Sequence, residues 1–187
     1  MRALDRELQR RRVARALPFV PPGSSVIDIG CHDGAFFRAA GDRVVRGVGI
    51  DTTAPRSWPD GPYDLRIGRF PDVVAPGETF DVVVALAVVE HVPRPELDTW
   101  AAALPGVLVP GGRVVVTTPS PRVDAILDRL ISLRALDGMD AGAHHGFDPL
   151  TVPDVLGAGG LTLERHERFE LGLNHLFVFR SPAAALG

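Results

Sequence analysis

The chain has 187 residues, 45% of them hydrophobic, a formal net charge of −3 and a pI near 6.0. That is enough chain for one buried core and too little for two sizeable ones. The charge argues against a broad cationic footprint for nucleic acid or an anionic membrane, and small molecules become the favoured partners.

No apolar run reaches the ~20 residues of a membrane span, and the charged start MRALDRELQRRRVARAL carries no signal-peptide block. A cytoplasmic location is therefore expected. The single Cys31 allows no internal disulfide and makes a poor metal framework, so no metal is expected. All 20 Lys-plus-Arg positions are arginine, a bias of composition rather than of chemistry.

In chain order, residues Leu4 to Leu17 set Leu, Val and Ala among arginines at helical spacing, and Pro18, Pro21 and Pro22 stop the pattern. Val26 to Ile29, Val44 to Ile50, Phe80 to Leu86 and Arg113 to Thr118 are short β-branched runs. The first and third are nearly continuous in apolar residues, as strands covered on both faces require. Leu97, Trp100, Ala101 and Leu104 predict a helix that ends before Pro105, and Pro110-Gly111-Gly112 predicts a turn. Val123 to Asp137 reads as a helix with a wide apolar stripe, which could roof a pocket or form a dimer surface. Asp148 to Leu156 reads as a short helix, and Leu161 to Glu170 with His175 to Arg180 as an antiparallel pair. The alternation predicts an α/β domain with a largely parallel sheet and a ligand site beyond the carboxyl ends of its strands.

The stretch VIDIGCHDGAFF lies at such an end. Glycine after a buried strand lets a ligand approach the backbone, and the helix that follows is expected to offer unpaired N–H groups and a positive dipole end. Gly30-Cys31-His32-Asp33-Gly34 lacks the G-x-G-x-x-G spacing of dinucleotide sites, which disfavours NAD. Asp51 ends the next strand, GVGID, where a carboxylate can accept both hydroxyls of a ribose. The reading is a nucleoside, of unspecified kind.

These residues resemble the class I S-adenosylmethionine-dependent methyltransferases, in particular the small-molecule branch similar to ubiquinone-biosynthesis methyltransferases. VIDIGCHDGAF resembles their glycine-rich first motif, GVGID their acidic second strand, FDVVVALAVVEHV their fourth strand with its Glu-His signature, and LVPGGRVVVTTPS their fifth. The likeness runs in order from about Ser24 to Ser120, and the closing antiparallel pair matches that fold's reversed last strand. His32 stands where the family usually has a second glycine, and Arg69 where it often has an acid near the adenine.

The resemblance implies a Rossmann-like methyltransferase fold in one domain. Residues 1–22 would be a leading helix and linker, 23–120 the cofactor core, 121–160 a substrate-side helix and loop, and 161–181 the closing strands. It implies S-adenosylmethionine as cofactor, with Gly30, Cys31, His32 and Gly34 forming the loop and Gly30 and Cys31 lining the methionine portion. Asp51 would bind the ribose, Thr52 and Phe70 would flank adenine, and the backbone around Ala85 and Leu86 would meet the amino group. Asp28 would orient the loop by hydrogen bonds. With Arg69 in the usual acidic place, backbone atoms alone would bind the adenine amine.

A base is needed only if the acceptor must lose a proton. The candidates are His91, which could equally fix the helix start behind it, and the neighbouring His144 and His145 in a glycine-rich loop. His166 and His175 read as sheet or surface residues, and Cys31 as packing. Arg10-Arg11-Arg12 reads as a solvated face on a first helix that could fold over the cofactor. The expected function is methyl transfer to a small molecule, oxygen preferred, by a monomer or homodimer. The alternatives are a catalytically silent binding relative and, behind it, a nucleotide-cofactor oxidoreductase.

Overall fold

The computed structural model describes residues 3–120 and 147–183. The helix expected over Val123 to Asp137, and with it His144 and His145, lies outside the described residues. Seven strands form one sheet: β1 (Ser24–Ile29), β2 (Val44–Asp51), β3 (Tyr63–Ile67), β4 (Phe80–Leu86), β5 (Leu108–Pro119), β6 (Thr162–Phe169) and β7 (Asn174–Arg180). Their order is β3-β2-β1-β4-β5-β7-β6. The first five pair in parallel, and β7 runs antiparallel to both β5 and β6. This is the Rossmann-like arrangement with a reversed last strand.

Strand β3 is the element that sequence periodicity missed. Tyr-Asp-Leu-Arg-Ile is five residues of half-exposed edge strand behind a proline-rich stretch, so neither burial nor a long apolar run marks it. The turn expected at Pro110 to Gly112 survives inside β5. There the register jumps from Phe80 opposite Leu108 to Val82 opposite Arg113, and the residues between bulge out.

Helices α1 (Ala3–Ala16) and α2 (Ala35–Ala40) cover one face, where Val13, Ala16, Phe36 and Phe37 pack on Val26, Val84, Val115 and Val178. Helices α3 (Arg94–Ala103) and α4 (Val152–Ala158) cover the other, with Leu97, Trp100, Val155 and Leu156 on Ile27, Ile29, Val83, Val116 and Phe177. Six residues are too few for α2 to stand by propensity. Phe37 anchors it: the ring is fully buried, stacked on Tyr63 at 4.8 Å and edge-on to Trp58 at 5.8 Å. Each such aromatic pair adds about 0.5–1.5 kcal/mol beyond its buried area.

The arginines of α1 are not a purely solvated face. Arg12 Nε donates to Asn174 Oδ1 at 3.2 Å, Arg11 stands 3.8 Å from Glu170, and Arg15 pairs with Glu167 at 4.0 Å. Those partners sit on the β6–β7 hairpin, so the helix is tied to it by polar contacts as well as by its core residues. Among the described residues no helix is long and apolar enough to cross a membrane.

Candidate active site

The site grows from the carboxyl ends of β1, β2 and β4. After Ile29 the chain turns through Gly30 to Gly34 into α2, and three of these residues take left-handed backbone: Gly30 at φ +73°, His32 at +47° and Gly34 at +75°. A side chain on Gly30 would collide with Val88, and one on Gly34 with Pro59 and Trp58, so both need glycine for space as well as for φ. His32 adopts the same region at a cost of about 1 kcal/mol, with its imidazole 63% exposed and Nδ1 3.5 Å from Asp33 Oδ1. The backbone of a glycine is thus preserved with a histidine in place.

The turn's own amides are largely occupied. The N–H groups of Gly30 and Cys31 both donate to Ile50 O, at 2.8 and 3.2 Å; His32 N donates to Asp51 Oδ2 at 2.9 Å, and Gly34 N to Cys31 O at 2.8 Å. These amides are used to hold the turn, since β2 ends close enough to supply the acceptors.

Cys31 is buried, and its sulfur lies against Gly49; burial, then the Asp28 and Asp51 charges, push its thiol up. Its side chain packs in the core, as the sequence reading has it, beside Gly30 of the cavity next to this turn. Asp28 is 4% exposed, and its carboxyl is raised well above the usual range by burial and by the charges of Asp51 and Asp33. Among the described residues Asp28 forms no loop hydrogen bond. The carboxylate that holds the loop is Asp51, whose Oδ1 also accepts from Thr53 N and Oγ1 at 3.0 and 3.1 Å.

Beside this turn opens a cavity of about 410 Å³. Ile29, Gly30, Ile50, Asp51 and Thr52 form one wall, Gly68, Arg69 and Phe70 the end beyond β3, and Val88, His91, Val92 and Pro93 with Glu96 and Trp100 the wall toward α3. Phe70 meets Trp100 edge-on at 5.7 Å, giving an apolar floor. At the rim Arg69 Nη1 donates to Glu96 Oε2 at 2.6 Å. The structure therefore brings Gly30, Asp51, Thr52, Phe70 and His91 to one cavity. It leaves His32 and Gly34 on the turn outside the lining, and Ala85 and Leu86 beside it, Ala85 pairing with Ile29.

Sequence reasoning missed Val88, Val92, Glu96 and Trp100. Their signal was the helix start Pro93-Arg94-Pro95-Glu96: one turn later Trp100 faces the same way as Glu96. The cavity is large enough for a nucleoside cofactor. Asp51 Oδ2 uses one of its lone pairs on His32 and keeps capacity for a hydroxyl. The residues present thus fit an adenosyl group.

Comparison with known proteins agrees with this geometry. A family model described as a methyltransferase domain matches residues 1–162. Nocamycin O-methyltransferase of Saccharothrix syringae is 32% identical over 80% of this chain and 64% of its own length. The ubiquinone biosynthesis O-methyltransferase of Methylococcus capsulatus is 28% identical over 87% of this chain and 79% of its own. Among solved structures, the N-methyltransferase NodS from Bradyrhizobium japonicum superposes with a TM-score of 0.68 at 21% identity, covering 95% of this chain and 98% of that one. With the seven-strand order, the glycine turn and Asp51 already in place, the chain belongs to the methyltransferase-domain family, as a class I S-adenosylmethionine-dependent methyltransferase.

Proposed function

We propose that this enzyme methylates a small-molecule acceptor, on oxygen in preference to nitrogen or carbon. The observation that carries the methyl-transfer part is the cavity that joins the Gly30 turn, Asp51 and Phe70 in one adenosyl-sized space. The preference for oxygen is supported by the O-methyltransferases among its relatives, while NodS is an N-methyltransferase.

When bound, S-adenosylmethionine supplies an electrophilic sulfonium methyl. The work of the chain is then to position it, and near-attack positioning is worth about 7–11 kcal/mol in well-oriented systems. In this reading Asp51 accepts from the ribose, Gly30 lets the cofactor's backbone-facing side come close, and Thr52, Phe70 and Trp100 hold the base. The backbone near Ala85 and Leu86 receives the amino group. Glu96, fixed by Arg69, offers a carboxylate oxygen to the adenine exocyclic amine, replacing the expectation of backbone atoms alone.

Calorimetric titration with S-adenosylmethionine, and with NAD in parallel, tests the reading. Saturable one-site binding of the sulfonium cofactor alone, with S-adenosylhomocysteine formed in the presence of acceptors, supports it. Binding of NAD instead overturns it, and binding with no turnover across a broad acceptor panel favours a catalytically silent relative.

A further inference from the structure

A second cavity, of about 110 Å³, opens at the same end of the sheet between β5, β7 and the start of α4. Ser120, Asp148, Arg168 and His175 give it polar walls, and Pro149 and Leu150 an apolar one. His175 is 4% exposed and stands opposite Thr118 in the β5–β7 ladder. Its Nδ1 lies 2.9 Å from Nε2 of His166, across the β6–β7 pair. The two rings are stacked on each other and on Phe177, which fixes their planes. Either ring can be the donor in this pair; in the tautomer in which His175 Nδ1–H is donated to His166, the Nε2 of His175 carries a lone pair.

The cavity opens next to the end of β5, the strand beside β4. Strands are spaced about 4.8 Å apart, so β7, two places from β4, is about 10 Å from the end of β4. We propose that this cavity is the acceptor-hydroxyl subsite and that His175, oriented by His166, takes the proton of a phenolic or enolic acceptor. The inference rests on the reading of the protein as an O-methyltransferase. In the step, the acceptor O–H bond breaks and the proton passes to Nε2 of His175; the oxygen keeps the bonding pair and would form an O–C bond with the methyl group that S-adenosylmethionine supplies when bound, the methyl–sulfur bond breaking with its pair left on the sulfur of S-adenosylhomocysteine. The imidazolium afterwards returns its proton to water.

The charge state agrees with the geometry. Burial lowers the imidazole of His175, the nearby His166 and Arg168 lower it further, and only Asp148 opposes them. Burial and Arg168 likewise lower His166. Both rings are therefore neutral at neutral pH, and His175 is ready to accept. The proton of a phenol or enol lies closer in pKa to such a histidine than that of an alkyl alcohol, and this match favours the phenolic or enolic class.

The test uses the full chain in three measurements. Calorimetry with S-adenosylhomocysteine comes first, and absence of binding there defeats the methyltransferase reading itself. Next, 15N NMR of the histidine side chains in that complex is followed as catechol is added. The His175 signal is expected to shift, and His166→Gln to change its tautomer balance and its pH midpoint. Finally, transfer of labelled methyl to catechol is followed against pH. Wild type should rise through a midpoint below about 6.5. His175→Ala should lose about a hundredfold or more in rate with S-adenosylhomocysteine affinity intact, and added imidazole should restore part of the loss. A binding-competent protein whose His175 signal ignores catechol, or whose His175→Ala variant methylates catechol at the wild-type rate, overturns the assignment.

Discussion

Asp51, at the end of β2, accepts the backbone N–H of His32 at 2.9 Å and so ties the second strand to the turn that follows the first. The same carboxylate faces the cavity. One residue therefore holds the loop in shape and lines the cavity proposed for the cofactor.

Asp51→Ala is expected to lower S-adenosylmethionine affinity about ten- to a hundredfold, the value of a hydrogen bond to a charged group. It should also loosen the Gly30–Gly34 turn, because His32 N loses its acceptor. Calorimetry on the folded variant checks the first effect and amide hydrogen exchange at His32 the second. Wild-type affinity in a folded variant would remove Asp51 from the ribose.

At position 32 the left-handed backbone decides which residues are tolerated. His32→Gly relieves strain but adds freedom to the unfolded chain, and a net gain of about 0.5 kcal/mol is expected. His32→Val, β-branched at φ +47°, should lose about 1 kcal/mol or more. Urea unfolding separates the two, and identical midpoints would show that the turn relaxes instead of bearing the strain.

The buried Asp28 makes a pH prediction of definite sign. Burial and two neighbouring carboxylates raise its folded-state pKa above the unfolded value of 3.8. The folded chain then holds a proton that the unfolded chain releases, so this group makes stability fall as pH rises from 3.8 toward the raised value. Asp28→Asn should therefore raise the melting temperature at neutral pH and change it little in acid. An equal effect at both ends would dissociate the stability change from ionisation.

Glu96→Gln should erode the preference for an adenosyl over an inosyl cofactor analogue, since an amide can donate to the inosine oxygen where a carboxylate repels it. About tenfold in the ratio of affinities is expected. Arg69→Ala keeps the carboxylate and should preserve the preference, because an exposed ion pair is worth at most about 1 kcal/mol. Binding of S-adenosylhomocysteine and S-inosylhomocysteine to the three proteins reads this directly, and an unchanged ratio in Glu96→Gln would return the adenine amine to backbone acceptors.

Removing residues 1–17, a natural test of a lid formed by the first helix, would strip Val13 and Ala16 from the core. A loss of about 2 kcal/mol or more in unfolding free energy is expected from the apolar burial alone, measured by denaturant titration. Arg12→Ala leaves the core residues in place and is the sharper probe of whether the tie to Asn174 matters to cofactor affinity.

Local pattern carried much of this protein. Continuous apolar runs at Val26–Ile29 and Phe80–Leu86 identified buried parallel strands, because burial on both faces leaves no room for alternation. Gly30, Gly34 and Asp51 stood out as a ligand turn and an acidic strand end, because left-handed backbone and close approach select glycine and a strand terminus exposes its last side chain. Tertiary structure alone decided the rest. It spent amides of the loop on Ile50 and Asp51, and carried Glu96 and Trp100 from α3 to the cavity opened by β1 and β2. It also set His166 against His175 across a hairpin. Each of these depends on which strands become neighbours, and that order, with β1 between β2 and β4 and β7 between β5 and β6, is fixed by the packing of the whole sheet and not by any stretch of it.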